Sequence, residues 1–319
     1  MKTLVFGAGV IGSFNAAMLK RGGVDVTLLA RGERLVSLRE HGVVLTNWRT
    51  GDRSVTPVPV VDRIAIDDRY DLIVVVVRRD QIPSVLPVLA DVSAPNLMFV
   101  GNNLAGTADI TAAVGRTRVL TGLPNAGGQR DGESIRYIFS TRLPLIFGEC
   151  DGTVGARTRA VAAMFGRAGL SARVVTDAQA YQKTHAAGLP AFAGSLYSAG
   201  GDVRRLARRP DLLRMFIDGY RDALRALVVD GTVIRPRATA LLMKTPHSLL
   251  QLVLRRFLDS NLAVVGGQAH ALAAVGEMAE LADELRTILR RAVVQSAAND
   301  RAFAAISRWA VDERPTGDS

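Results

Sequence analysis

Cysteine is almost absent. Cys150 is the only one in 319 residues, so no internal disulfide can form and a reducing, cytoplasmic setting is expected. Beside a strand, a lone cysteine reads as a small buried hydrophobe. Long apolar runs are also missing: the longest, such as Leu72 to Val77, fall far short of the roughly 20 residues that cross a bilayer, so no membrane partner is expected. No basic start leads into an apolar stretch and a small-residue cleavage site, so no secretion signal is expected. Aromatic residues make up only 5% and no run of five or six like charges occurs. The net charge of +10 is spread along the chain, with 21 basic and 15 acidic residues in 1–176 and 19 and 15 in 177–319. This pattern argues against nucleic acid, which asks for a basic stripe or a stacking platform, and for a small anionic ligand. The histidines at 41, 185, 247 and 270 form no metal-ligand spacing with one another or with Cys150, so no metal is expected. Neither a G-x-S-x-G elbow nor a phosphate-binding G-K-[ST] loop is present, which argues against hydrolase and P-loop chemistry. Lysine is scarce too. Of 40 basic residues only Lys2, Lys20, Lys183 and Lys244 are lysines, so a lysine at a functional position carries unusual information.

What is present is a globular composition, 48% hydrophobic and 22% charged, at a length that suits two domains. Short β-branched runs at Thr3–Phe6, Val24–Leu29, Asp71–Val77, Leu97–Val100, Arg118–Thr121 and Ala172–Val175 alternate with amphipathic stretches at Ile11–Lys20, Gln81–Leu89 and Val154–Ala168. The alternation predicts an α/β Rossmann-type doubly wound domain over residues 1–176. The stretch Gly132–Gly148 reads as antiparallel strands at one edge of that sheet. From residue 177 to 319 strand-like runs vanish. There Ala178–Ala199, Asp211–Val229 and Gln268–Trp309 read as long helices of an all-α domain that binds substrate or dimerises, with a frayed tail over Asp312–Ser319. The apolar faces of the last helices suit either a homodimer or packing within the chain.

Directly after the first strand stands Gly7-Ala8-Gly9-Val10-Ile11-Gly12. In this G-x-G-x-x-G pattern the first glycine makes a tight turn, the second admits a pyrophosphate to the backbone, and the third lets helix and strand pack closely. The amides around Val10 and Ile11 then face the anion at the helix start. The second strand ends in Leu28-Leu29-Ala30-Arg31-Gly32-Glu33-Arg34. An NAD site usually has a carboxylate there. Arg31, with Arg34 one turn on, suits the 2′-phosphate of NADP(H), while Glu33 is the candidate for the acid of an NAD site.

Together with Val77-Arg78-Arg79-Asp80-Gln81, Gly101-Asn102-Asn103-Leu104-Ala105-Gly106, Phe147-Gly148-Glu149 and the helix bearing Lys183, these residues resemble the ketopantoate reductase (2-dehydropantoate 2-reductase) family. The resemblance implies NADPH-dependent reduction of a small anionic 2-oxo acid to a 2-hydroxy acid, ketopantoate to pantoate in the family, in a cleft between a Rossmann domain and a helical domain. It implies that Arg78, where the family has lysine, lies near cofactor and substrate. Asn103, or Asn102 if the register slips, would contact the nicotinamide side and the substrate. Lys183 matches the catalytic lysine. A lysine can release a proton to the oxygen that gains charge as hydride arrives, and an arginine cannot. Ser248 matches a serine that binds the substrate carboxylate. The family's asparagines four and eight residues after the lysine are Ala187 and Ala191 here. Counting from Ser248 brings Ser260, with Asp259 beside it, to the place of the acid that anchors the substrate's hydroxyl. His185 is a further substrate-binding candidate, and Asn261 and His270 are polar groups without a role. These departures leave two alternatives: an oxidoreductase acting on another carbonyl, such as an opine-like compound, or a non-catalytic NADP(H)-binding sensor.

Overall fold

The computed structural model describes residues 1–65 and 67–312; the expected frayed tail lies, from residue 313 on, outside them. The chain divides into two compact units. The first comprises residues 1–101 and 106–179, and the second comprises the four-residue segment 102–105 together with 180–319.

The strands of the first unit are β1 (Thr3–Phe6), β2 (Val26–Leu29), β3 (Val43–Asn47), β4 (Arg53–Thr56), β5 (Val60–Val61), β6 (Leu72–Val75), β7 (Leu97–Val100), β8 (Val119–Leu123), β9 (Ala126–Asp131), β10 (Ser134–Phe139), β11 (Leu145–Glu149) and β12 (Ala172–Val174). Eight of them form one sheet in the order β12-β11-β8-β7-β6-β1-β2-β5, parallel throughout except where β11 runs antiparallel to β8. Its helices are α1 (Val10–Arg21), α2 (Gly32–His41), α3 (Ile82–Asp91), α4 (Ala108–Val114) and α5 (Ala156–Arg167). Successive strand residues point to opposite faces, and both faces are covered. Val5, Leu28, Val74 and Met98 pack with Phe14 of α1 and Phe165 of α5, while Leu4, Phe6, Ile73 and Val75 pack with Ile82 and Leu89 of α3 and Ile110 of α4. The central strands are therefore unbroken apolar runs, and this is why they were legible.

One expectation needs correction. Of the strands in Gly132–Gly148, only β11 joins the main sheet. Strand β10 instead lies in a separate four-stranded sheet, β4-β3-β10-β9, built from two hairpins joined by a parallel β3–β10 pairing. This sheet packs on α1, where the Phe14 ring lies 4.9 Å from Tyr137 and 5.4 Å from Phe139. Three aromatic side chains thus join the small sheet to the core that α1 shares with the main sheet.

The second unit is helical: α6 (Ala178–Ala186), α7 (Leu189–Ser198), α8 (Val203–Ala207), α9 (Pro210–Val229), α10 (His247–Leu258), α11 (Ala269–Ala273), α12 (Val275–Arg291) and α13 (Ala297–Asp312), with a π-helical stretch over Ala263–Gln268 before α11. Two expected helices are broken. Ala178–Ala199 divides at Gly188, because Pro190 in the first turn of α7 has no N–H to continue the preceding helix. Gln268–Trp309 is three helices, interrupted at Ala274 and at Val293, whose φ is 53°. Helices α7 and α13 pack backbone to backbone, since a Cβ on Gly194 would fall 2.4 Å from the Ala302 Cα. Tyr197 stacks on Trp309 at 4.8 Å.

Candidate active site

In the first unit the turn from β1 to α1 is shaped by its glycines. Gly7 has φ of 112°, and a Cβ there would lie 2.4 Å from the Val76 carbonyl oxygen. Gly12 is buried in the first turn of α1, whereas Gly9 is exposed with nothing within 4 Å of the place a Cβ would take. Gly9 is also the N-cap of α1, which has no side-chain cap and no acidic residue in its first turn. The helix start keeps its partial positive charge, with Val10 and Ile11 following Gly9. These features fit a dinucleotide's pyrophosphate.

Arg31 is the exposed N-cap residue of α2. Arg34, half-buried on the same helix, donates through Nε to the Ala8 carbonyl at 3.4 Å and through Nη2 to the Ser13 hydroxyl at 3.2 Å. Burial, together with the charge of Arg130, pulls the Arg34 guanidinium down to about 10. It braces the glycine turn. Arg78, beyond β6, is exposed, and its N–H donates to Gln81 Oε1 at 3.2 Å. Arg79 turns inward and pairs with Asp109 at 3.0 Å, so the two adjacent arginines do different jobs. Cys150 is half-buried, its thiol directed at the Val119 carbonyl and raised in pKa by burial.

The second unit holds a polar cluster organised by α12. Glu277 and Glu284 stand seven residues, two turns, apart on one face. Glu284 Oε2 accepts the N–H groups of Leu104 at 2.9 Å and Ala105 at 3.1 Å. The Glu277 side chain, 3% exposed, accepts from the Asn102 amide at 3.4 Å and lies 3.2 Å from Nε2 of His270. Asn102 Nδ2 is also 3.5 Å from that imidazole nitrogen. Leu104 is wholly buried in the helical core, which pins the segment 102–105 to this unit. Asn103 is buried. The His185 ring of α6 is open to solvent yet crowded by protein. That crowding, with the positive charge of His270, lowers it to about 4 against the opposing pull of Glu277. Lys183, two residues earlier, is half-buried.

Ser248 lies exposed in the first turn of α10. Ser260 is the residue that the count from Ser248 brings to the place of the family's acid. Its hydroxyl donates to the Phe257 carbonyl and accepts the Ala263 N–H at 3.3 Å, closing the end of α10. The π-helical stretch and α11 follow, so counting along the chain stops short of the buried carboxylate at Glu277. Asn261 accepts from Arg204 at 2.9 Å, and Ala187 and Ala191 are fully buried. Glu277 was findable: it sits in register with the apolar stripe Ala274, Met278, Leu281, Leu285 and Ile288, where a carboxylate is out of place without partners. A shallow basic depression lined by Ser198, Ala199, Gly200, Arg205, Arg208 and Arg209 shares no residue with this cluster. Among the described residues no three His, Cys, Asp or Glu side chains gather as a metal site, and no helix is long and apolar enough to cross a membrane.

Residues 3–152 match the family model described as ketopantoate reductase PanE/ApbA. Over this stretch, just under half of the chain, the protein is similar to that family. A curated 2-dehydropantoate 2-reductase from Pyrococcus horikoshii is 36% identical over 62 residues, a match that spans 18% of this chain and only 21% of that protein. Among solved structures, a PanE/ApbA family ketopantoate reductase from Ralstonia eutropha superposes with a TM-score of 0.77 at 16% identity, covering 97% of this chain and 98% of that one. A 2-dehydropantoate 2-reductase from Methylococcus capsulatus gives 0.74 at 17% identity, with 99% of each chain covered. A D-mandelate dehydrogenase solved with NADH and anilino(oxo)acetate gives 0.77 at 15%, with 97% of each covered. At such identities these likenesses speak for the ketopantoate reductase fold.

Proposed function

We propose that the protein is an NADPH-dependent reductase of 2-oxo acids. The observation that carries the reading is Glu277, a carboxylate buried among polar partners in a helical core, since burying a charge is costly and is kept where the charge has a use. In this reading Gly7, Gly9, Gly12 and the amides at Val10 and Ile11 cradle the pyrophosphate, and Arg31 takes the 2′-phosphate. NADPH supplies the hydride that reduces the carbonyl carbon. Lys183 donates a proton to the oxygen on which negative charge gathers, and Arg78 and Ser248 bind the substrate carboxylate. Glu277, in place of Ser260, anchors a substrate hydroxyl, with Asn102 rather than Asn103 beside it. The missing acid and asparagines motivate the sensor alternative; Glu277 offers a carboxylate in place of the acid, while Ala187 and Ala191 still stand in place of the asparagines.

The substrate reading rests on the class, a 2-oxo acid. The test is a titration with NADPH and NADH, then initial rates of A340 loss at saturating NADPH with ketopantoate, phenylglyoxylate and aliphatic 2-oxo acids. Turnover that Lys183→Ala lowers by at least about 100-fold, the span of general acid catalysis, is the expected result. Nucleotide binding without turnover on any 2-oxo acid overturns the reading.

A further inference from the structure

Arg130 is exposed on the small sheet, with no hydrogen-bond or ion-pair partner among the described residues. The hairpin of β9 and β10 sets Arg130 opposite Ile135 and Gly128 opposite Tyr137. Directly opposed residues share a face, so Arg130 belongs to the face that packs on α1, where Ile135 and Tyr137 join Phe14. On that face, two residues before Arg130, the hairpin meets the start of α1: a Cβ on Gly128 would lie 3.1 Å from Val10 Cγ1. Its turn is tied to the same place. Arg34 donates through Nη1 to the Glu133 carbonyl at 3.4 Å and through Nε to the Ala8 carbonyl, and so joins the hairpin to α2 and to the glycine turn.

The charge gathered here is unbalanced. The half-buried Arg34 meets only oxygens without formal charge: the Ala8 and Glu133 carbonyls and the Ser13 hydroxyl. Arg31, one helical turn before it, has no partner among the described residues. The hairpin's carboxylates are engaged elsewhere, Asp131 with Arg136 at 3.2 Å and Glu133 with Arg53 at 3.3 Å. Glu33 forms no ion pair among the described residues. After burial, the charge of Arg130 is what lowers the Arg34 guanidinium, so these two cations act on each other with no carboxylate paired to either. Like charges held in this way are unfavourable until an anion arrives. A phosphate monoester brings a charge of about −1.5 to −2 and three acceptor oxygens, which two guanidiniums can grip from opposite sides.

We propose that Arg130 is a cofactor-specificity residue, reaching from the small sheet to the 2′-phosphate of NADP(H) so that the phosphate is held between Arg31 on α2 and Arg130 on the β9–β10 hairpin. This rests on the NADPH reading above. Arg34, engaged with three protein oxygens, fixes the hairpin against the glycine turn and adds its charge to the site.

The test compares wild type with Arg130→Gln, Arg130→Lys and Arg31→Ala in titrations with NADPH, NADH, 2′,5′-ADP and 5′-AMP, with urea unfolding alongside. The last two nucleotides differ only in the 2′-phosphate. Arg130→Gln weakens NADPH and 2′,5′-ADP by about tenfold and leaves NADH and 5′-AMP within about twofold, the size and selectivity of one lost charge-assisted contact. Its unfolding midpoint stays at or above that of wild type, since a like-charged neighbour of Arg34 is gone. Arg130→Lys keeps the charge without the planar fork and recovers part of the affinity. Wild-type NADPH affinity in Arg130→Gln overturns the proposal, and so does an equal loss for NADPH and NADH, which would place Arg130 at the pyrophosphate or in the fold. In both cases the NADPH reading stands where wild type prefers NADPH and Arg31→Ala removes the preference. If wild type binds NADH as tightly as NADPH, both fall together.

Discussion

A Cβ at position 12 would stand 1.9 Å from the carbonyl oxygen of Gly7, so the turn that leaves β1 and the first turn of α1 close on each other at that point. The contact is backbone to backbone, and no rotamer change can relieve it. Gly12→Ala should therefore open the turn, at a cost of about 1–3 kcal/mol in stability, and displace the amides proposed to hold a pyrophosphate. The measurement is urea unfolding together with NADPH titration. Unfolding within 0.5 kcal/mol of wild type, with unchanged affinity, would show that the turn is not the cradle.

Arg31 and Arg34 share a helix but should fail in different ways. Exposed Arg31 is free to meet a 2′-phosphate, so Arg31→Ala should weaken NADPH by about 10- to 100-fold and leave NADH within about threefold. Arg34 holds the Ala8 carbonyl and the Ser13 hydroxyl, so Arg34→Leu should weaken both nucleotides alike. A loss confined to NADPH in Arg34→Leu would move the phosphate site to that residue.

Arg118 ties the ends of two helices. Its guanidinium donates to the carbonyls of Leu89, Ala90 and Val92 at the end of α3, to Ala94 just beyond, and to Val114 at the end of α4. Carbonyls at helix C-termini have no intrahelical partner, and burial lowers the guanidinium's pKa without depriving it of charge. Arg118→Ala should cost about 2–4 kcal/mol in urea unfolding, since several partly buried acceptors lose their donor at once. Arg118→Lys should recover little of this, because three donors on a point charge cannot span the same fork.

What the sequence could tell depended on whether a pattern was local. The strands β1, β6 and β7 are apolar on both faces, and the glycine turn is a contiguous motif, so both were legible. The small sheet was not, because β3 meets β10 across some ninety residues and only the fold brings them together. The same limit hid the cluster around Glu277. Asn102, His185 and the neighbouring pair His270 and Glu277 come from three separate parts of the chain, and a count along the chain from Ser248 does not reach as far as Glu277. The breaks at Gly188 and Val293 were lost to helical periodicity that runs on across them.

Val293 ends α12 in a conformation that its side chain resists. Its φ is 53°, its N–H donates to the Arg290 carbonyl at 3.1 Å, and the Val294 N–H reaches back to the Leu289 carbonyl at 2.9 Å. This is the hydrogen-bond pattern of a Schellman cap, whose left-handed position is normally glycine. A β-branched residue there clashes with its own backbone, and with 87% of the side chain exposed, packing offers nothing in return. Val293→Gly should raise stability, by about 1 kcal/mol once the greater freedom of glycine in the unfolded chain is set against the relieved strain. Because the cap lies outside the cluster around Glu277, kinetic constants should stay at wild-type values. A drop in stability would mean that the left-handed turn is not kept in solution.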